Sequence, residues 1–197
     1  PQAQPGDFNA VEIETLHVSG NIYMLVGAGG NIAVSVGADG VFIVDDQYEP
    51  LTEKVIAAIR EISDQPIRFV INTHAHGDHV GGNENFAEMG ALIVAHDNTR
   101  KKMAEGGGNN LTPDPDDRIA PAAPGALPVI TFGEQMSLHL NGEDVDIIHV
   151  GPAHTDGDAF VFFRESNVLH MGDVLLTENF PIIDRTSNGS LDGLIGA

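Results

Sequence analysis

Four side chains able to bind a metal ion fall within six consecutive positions of this chain. Residues 73–79 read Thr-His-Ala-His-Gly-Asp-His and directly follow Ile67–Ile71, an apolar run of strand length. In an extended backbone alternate residues point the same way, so His79 would point away from His76 and Asp78. That divergence favours two metal ions over one. The alternative, a surface loop with incidental histidines, is disfavoured because a strand end tolerates few unsatisfied imidazoles.

The absence of cysteine narrows the chemistry of such a site. With no cysteine among 197 residues, disulfides and thiolate ligands are excluded. Imidazole suits zinc, and catalytic zinc usually has three protein ligands plus water, so a distant ligand is expected. His154 follows a predicted strand at residues 143–150, and Asp173 follows one at residues 167–171. Because both lie at strand ends, we predict that they join the cluster.

Glycine-punctuated apolar runs predict an antiparallel meander in the first third, followed by alternating strands and helices. A single domain is expected over residues 11–197, after a loose segment at residues 1–10. Residues 106–128, rich in Gly and Pro, predict a long loop that is either solvated or covers the site, and residues 175–197 give no confident helix. The remaining predicted strands are residues 11–18, 21–26, 31–36, 41–45, 91–95, 135–140 and 159–163, and the predicted helices begin at Pro50 and cover residues 82–88 and 97–105.

The charge of the chain limits its partners. Nine basic and 29 acidic side chains give a formal net charge of -20, and such a surface repels nucleic acid and anionic membranes. No apolar run approaches the roughly 18 residues of a membrane span. We therefore expect a small-molecule substrate, no nucleic-acid or membrane partner, and leave an oligomer open. The Pro-, Gln- and Ala-rich start suggests export processing and a periplasmic or secreted location, with a cytoplasmic one as the alternative.

The whole pattern resembles the metallo-β-lactamase superfamily of hydrolases, over about residues 16–177. The resemblance implies a four-layer αββα sandwich of mixed α/β class and one or two zinc ions per chain. It implies a first metal held by three histidines, a second held by an aspartate and a histidine, and a bridging aspartate between them. These ligands are, in that order, His74, His76 and His154, then Asp78 and His79, and finally Asp173.

One feature departs from the family pattern. Members normally carry a last histidine in a Pro-Gly-His-Gly type of turn, and this sequence reaches Ala197 without it. We therefore expect a loosely held second metal and an incomplete second half that lacks its closing strand and helix. Either truncation or a neighbouring molecule that completes the site would account for this.

The resemblance implies an enzyme that uses metal-bound hydroxide to cleave a cyclic amide, lactone or thioester. Asp78 is the predicted catalytic residue, orienting the water and passing its proton to the leaving group. The Met-Gly-Asp setting of Asp173 resembles the generic hydrolase branch, so a dedicated β-lactamase is the second interpretation. A flavodiiron-like redox protein, which normally has Glu where His76 stands, and an inactive metal-binding remnant are further alternatives.

The other candidate residues are expected to have mainly structural roles. Asp45 and Asp46 either hold a ligand histidine or face solvent. Residues 27–31 are rich in glycine but match neither a dinucleotide nor a phosphate-loop pattern, so they predict a plain turn. The histidines expected to be structural are His17, His96, His139, His149 and His170.

Overall fold

A seven-stranded sheet carries most of the strand ends that form the site. The computed structural model describes residues 7–108, 118–177 and 179–197. The strand order is β1-β2-β3-β4-β5-β6-β9; β1 to β4 form an antiparallel meander, and β4, β5, β6 and β9 run parallel. The strands are β1 (Glu14–Ser19), β2 (Ile22–Val26), β3 (Ile32–Gly37), β4 (Gly40–Val44), β5 (Ile67–Ile71), β6 (Leu92–His96) and β9 (Ile130–Phe132).

A second, four-stranded sheet stacks on the first. It is an antiparallel meander in the order β10-β11-β12-β13, whose first hairpin turns at Asn141 and Gly142, both with positive φ, as the Asn-Gly pair predicts. A separate two-stranded ribbon pairs β7 (Gly107–Gly108) with β8 (Arg118–Ile119). The strands of the second sheet are β10 (Gln135–Leu140), β11 (Glu143–His149), β12 (Ala159–Phe163) and β13 (Val168–His170).

Helices cover the outer face of the first sheet. Val55 and Ile59 of α1 and Phe86 of α3 are buried in one cluster with the apolar side chains of that face, as the helical spacing of apolar residues predicts. None of the helices in the described part of the chain has the length and apolar content of a membrane span. The helices are α1 (Thr52–Ile62), α2 (Gly77–Val80), α3 (Asn83–Glu88), α4 (Asp97–Glu105) and α5 (Leu191–Gly196).

The second core lies between the two sheets. Phe42 of β4 stacks on Phe163 of β12 with ring centroids 5.7 Å apart, and both are almost fully buried. Val44 and Ile71, at the ends of β4 and β5, belong to the same cluster. The predicted mixed α/β architecture with two stacked sheets is confirmed.

Three parts of the chain differ from the sequence-based expectation. β9, in the first sheet, and helix α5 were not predicted, since β9 has three residues and α5 contains two glycines that lower helix propensity. The predicted loop at residues 106–128 contains the β7–β8 ribbon and a 3-10 turn at Pro124–Ala126, while its residues 109–117 lie outside the described residues. Of the segment expected to be loose, Phe8–Ala10 form a 3-10 turn whose carbonyls accept hydrogen bonds from Lys54, and residues 1–6 lie outside the described residues.

A stacked pair of histidines joins the two sheets. The rings of His96, at the end of β6, and His149, at the end of β11, are parallel to within 15°, with centroids 3.8 Å apart. His96 Nδ1 accepts the backbone N–H of Asn98 at 3.2 Å. Burial lowers the pKa of His96, the neighbouring His149 lowers it further, and nearby Asp97 and Asp156 oppose the shift.

We expect this pair to make stability depend on pH. Because the pKa of His96 is lowered in the folded protein, its contribution is complete above about pH 6.5 and is lost below it, where the unfolded chain takes up the proton first. The substitution His149→Gln should raise the pKa of His96 towards its ordinary value, and the stability lost on acidification should therefore become smaller. NMR titration of the His96 ring measures its pKa, and His139→Gln, which changes an exposed histidine, is the control. An unshifted His96 pKa in His149→Gln would contradict the prediction.

Candidate metal centre

The histidine-rich segment begins where the parallel strand β5 ends. Residues 73–75 form a bend after β5, and α2 then begins at Gly77, so that the backbone N–H of His79 donates to the carbonyl of His76. The expectation of an extended backbone through Asp78 is therefore wrong. A helical turn that begins at Gly77 places His79 against the strand ends instead of away from them.

Three imidazoles converge on one point. The Nδ1 atom of His76 lies 3.0 Å from Nε2 of His74 and 2.9 Å from Nε2 of His154. All three residues are at least 95% buried. His154 is separated from His76 by 78 residues and reaches the cluster from the turn between β11 and β12. The predicted convergence of His154 with the first motif is present in the structure.

A second group of possible ligands shares His74. The ligand atoms of His74, His79 and Asp173 lie within 4.8 Å of one another. His79 Nε2 is 3.2 Å from Asp173 Oδ1 and 3.5 Å from Asp78 Oδ2, and the second Asp173 oxygen is 3.9 Å from His154 Nε2. Asp173 thus stands between the two groups of ligands. Asp78 lies next to His79 but belongs to neither of the two groups whose ligand atoms lie within 4.8 Å of one another.

Each of the four histidines has its other ring nitrogen next to an acceptor outside the cluster. Since these acceptors fix one N–H per ring, the lone pair of the remaining nitrogen points into the cluster. Such outer partners orient metal-ligating imidazoles and raise their basicity. The acceptors are Thr73 Oγ1 for His74 (3.0 Å), Asp184 Oδ2 for His76 (2.9 Å), Asp45 Oδ2 for His79 (2.7 Å) and the carbonyl of Ile182 for His154 (2.8 Å).

Asp45 links the end of β4 to the histidine-rich segment. One of its oxygens accepts the backbone N–H of Thr73 at 2.7 Å, and the other accepts the Thr73 hydroxyl and the His79 ring. Its φ of 64° is in the left-handed region, where a β-carbon causes strain. Asp45 therefore holds a candidate ligand, one of the two interpretations of the sequence. Asp46, equally buried, accepts the N–H of Gly82 and contacts no imidazole with its side chain.

Asp184 was not identified from the sequence. It lies in a loop after β13, and its Oδ1 accepts the backbone N–H groups of Thr186 and Ser187 while Oδ2 meets His76. Burial alone would raise the pKa of the Asp184 carboxyl, but these hydrogen bonds, led by that with His76, hold the pKa well below its ordinary value. A lone aspartate 108 positions from its partner carries no local signal in the sequence.

The glycine-rich turn between β2 and β3 packs directly on the candidate ligands. A β-carbon on Gly30 would lie 2.2 Å from Cε1 of His79, and one on Gly29 would lie 2.5 Å from the β-carbon of Asp78. Gly29 also has a φ of 87°. The sequence predicted a plain turn here, but the structure makes residues 29 and 30 a wall of the site that only glycine leaves room for.

The electrostatics of the cluster favour a cation. Burial would raise the pKa of the Asp173 carboxyl, but His79 and its hydrogen bond hold the pKa below the ordinary value. Burial and the neighbouring imidazoles lower the pKa of His74. The carboxylates of Asp78, Asp173 and Asp45 raise the pKa of His79 against the effect of its burial. An ionised Asp173 and a neutral His74 are in the protonation states that metal ligation requires, whereas His79 would have to release a proton when a metal ion binds.

These residues fit a divalent transition metal. Three lone pairs within 3.0 Å of a neighbour repel one another unless a cation lies between them. Nitrogen and carboxylate donors suit such an ion. The other histidines lie outside this cluster: His170 contacts the carbonyl of Asn31, and His139 contacts Asp144.

Comparison with known proteins assigns the family. The model of the metallo-beta-lactamase superfamily matches residues 17–195, so the chain belongs to that superfamily. It is similar in structure to the class B3 di-zinc metallo-beta-lactamase LRA-12 from an Alaskan soil metagenome, with a TM-score of 0.67 and 17% identity, over 83% of this chain and 61% of the other. At that identity the likeness concerns the fold.

Two relatives whose names give different enzymatic activities are also similar to this chain in sequence. The alpha subunit of 2,4-dinitroanisole O-demethylase from Nocardioides sp. strain JS1661 is 26% identical over 145 residues, which are 72% of this chain and 40% of the relative. The hydroxyacylglutathione hydrolase of Pelagibacter ubique strain HTCC1062 is 24% identical over 156 residues, 79% of this chain and 51% of the relative. The chain thus spans about half the length of these relatives or less.

We expect Asp184 to set the affinity of the cluster for metal. Replacing it by Asn in Asp184→Asn removes the charge that orients His76 and should weaken zinc binding by about 10- to 100-fold. Competition with a chromogenic chelator measures the affinity. Thr186→Val, which removes only a hydrogen bond to the other Asp184 oxygen, is the control and should bind zinc as the wild type does. Equal affinities for all three proteins would contradict the prediction.

The close approach of Gly30 gives a second prediction. Gly30→Ala should displace the His79 ring and weaken the binding of a second metal ion more than that of the first, because the three atoms nearest to the added β-carbon all belong to His79. Stepwise metal titration followed by calorimetry separates the two events. Gly133→Ala, where a β-carbon meets no atom within 4 Å, is the control, and two unchanged binding steps in Gly30→Ala would refute the role of the turn.

Proposed function

We propose that this protein is a zinc-dependent hydrolase that cleaves a carbonyl-containing substrate. The observation that carries the proposal is the convergence of His74, His76 and His154 through nitrogens that their outer partners leave unprotonated. Three imidazoles of this kind are typical of catalytic zinc. The class B3 neighbour is described as a di-zinc enzyme, which supports one or two zinc ions per chain here. When bound, zinc lowers the pKa of a water molecule and polarises a substrate carbonyl.

The residues of the chain divide the remaining work. His74, His76 and His154 would hold the first ion, and Asp78 and His79 the second, with Asp173 between them. Asp78 is about 14% exposed at its side chain, while His79 is almost completely buried. A partly exposed carboxylate beside the site can accept a proton from water and give it to the leaving group. Asp78 is therefore the proposed catalytic residue.

The proposed substrates are cyclic amides, lactones and thioesters, with a dedicated β-lactamase as the second candidate. The Pelagibacter relative is named as a hydroxyacylglutathione hydrolase, which supports thioester cleavage. The class B3 neighbour supports β-lactam opening. The O-demethylase relative is named for a different reaction, and one fold can support several reactions. The net charge of -20 supports a small-molecule substrate in place of a nucleic acid.

Removal of the metal is expected to abolish hydrolysis. Chelator-treated protein should lose turnover of a lactone, a thioester and nitrocefin, and zinc should restore whichever activity the untreated protein shows. His76→Ala should remove both zinc and activity, whereas Asp78→Asn should reduce kcat by about 100-fold or more while the first zinc ion stays bound. His139→Ala, which changes an exposed imidazole on β10, is the control.

Three outcomes would contradict the proposal. Full activity in metal-free protein would exclude a metal-dependent reaction. Stoichiometric zinc without turnover of any substrate in the panel would favour an inactive metal-binding remnant. Iron with a visible absorbance in protein purified from its source would favour redox chemistry. Metal analysis by mass spectrometry beside the activity assay separates the three.

A further inference from the structure

A cavity of about 400 Å³ lies against the histidine-rich segment. Ala75 and Gly77, on either side of His76, form one wall of it. Met103 of α4 and Ile119 of β8 form the opposite side, together with the alanines between residues 120 and 126. We call this space the alanine-lined cavity. Its small apolar lining and its contact with the ligand segment are typical of a site that holds part of a small molecule.

The charged groups of this cavity are both acidic. Its polar side chains are Glu49, Glu84 and Asn85, and no lysine or arginine of the described residues lines it. The carboxylate of Glu84 lies beside the turn at residues 124–126, where a β-carbon on Gly125 would lie 3.1 Å from its Oε1. Asn85 donates to the Thr52 hydroxyl, so it holds the wall together. A carboxylate-bearing ligand would meet two like charges here.

Basic side chains are few, and several are engaged elsewhere. The chain has nine in total. Arg68 donates to the carbonyl of Asp39, Lys102 to that of Thr186, and Arg164 pairs with Asp146. Lys54 is held by backbone carbonyls of residues 8–11. The net charge of -20 attracts positive charge to the protein surface as a whole.

We propose that the alanine-lined cavity binds the apolar, non-reacting part of the substrate, and that Glu49 and Glu84 select neutral or cationic substrates over those carrying a carboxylate. This inference rests on the proposed hydrolase function. It ranks a neutral lactone or ester, or an amine-bearing analogue, above β-lactams and glutathione thioesters, whose carboxylates would face the two glutamates. Glu49 and Glu84 are specificity-determining residues in this proposal, and neither takes part in the chemistry.

Binding is tested first, without hydrolysis. Zinc-loaded protein is titrated calorimetrically with three probes of one shape: 3-phenylpropyl trimethylammonium, 3-phenylpropanol and 3-phenylpropyl sulfonate. We expect the cation to bind about three- to tenfold more tightly than the anion, because exposed charge pairs contribute modestly. Ala122→Leu, which fills the cavity, should weaken all three probes. Equal affinity of cation and anion, or undiminished binding to Ala122→Leu, would overturn the proposal.

The role of the two glutamates is tested with matched charge changes. The double variant Glu49→Gln/Glu84→Gln should remove most of the preference between cation and anion. The double variant Glu53→Gln/Glu88→Gln changes the net charge by the same amount at exposed positions outside the cavity. It should keep the preference for the cation over the anion. If both doubles lose the preference alike, the overall charge of the protein causes it and the proposed role of Glu49 and Glu84 is wrong.

A kinetic experiment tests the selection of substrates by the cavity separately from the proposed hydrolase activity. A γ-lactone with an apolar acyl chain is compared with its analogue ending in a carboxylate. We expect kcat/KM to favour the neutral lactone by about three- to tenfold, and the preference to disappear in Glu49→Gln/Glu84→Gln. Hydrolysis of both at equal rates would leave the hydrolase standing and refute the selection. Selective probe binding without hydrolysis would refute the hydrolase and retain the cavity's preference.

Discussion

The site depends on buried imidazoles whose free lone pairs face one another. Such an arrangement is unfavourable by itself, because burial removes water and the lone pairs repel. The aspartates around it, Asp45 and Asp184, fix the outer N–H groups of His79 and His76 and keep the inner nitrogens available. The rest of the fold serves this geometry: β4 and β5 end side by side, and the second sheet delivers His154 and Asp173 to the same edge.

Much of this site was predictable because its signal is local in sequence or repeated at strand ends. His74, His76, Asp78 and His79 form a dense motif, and the structure brings His154 and Asp173 to it. Their ligation of metal stays a prediction. Glycine-punctuated apolar runs predicted the strands and helices, whereas the family resemblance implied the two-sheet α/β architecture, which is confirmed.

The remaining features depend on tertiary contacts. Asp184 reaches His76 across 108 residues, and nothing around it in the sequence distinguishes it from a surface aspartate. The α2 turn displaced the expected extended backbone, because glycine at its start does not reveal which conformation packing will select. The alanine-lined cavity is formed by residues from four separate parts of the chain, none of which is unusual alone.

The turn at Gly29 and Gly30 bears on the order in which the protein matures. These residues belong to the β2–β3 hairpin, yet they press on Asp78 and His79 about 50 positions later. The final positions of Asp78 and His79 and the docking of the hairpin on the end of β5 therefore depend on each other. If these two side chains bind a metal ion, maturation of that site requires the first sheet to be closed, so a nascent chain could not complete it earlier.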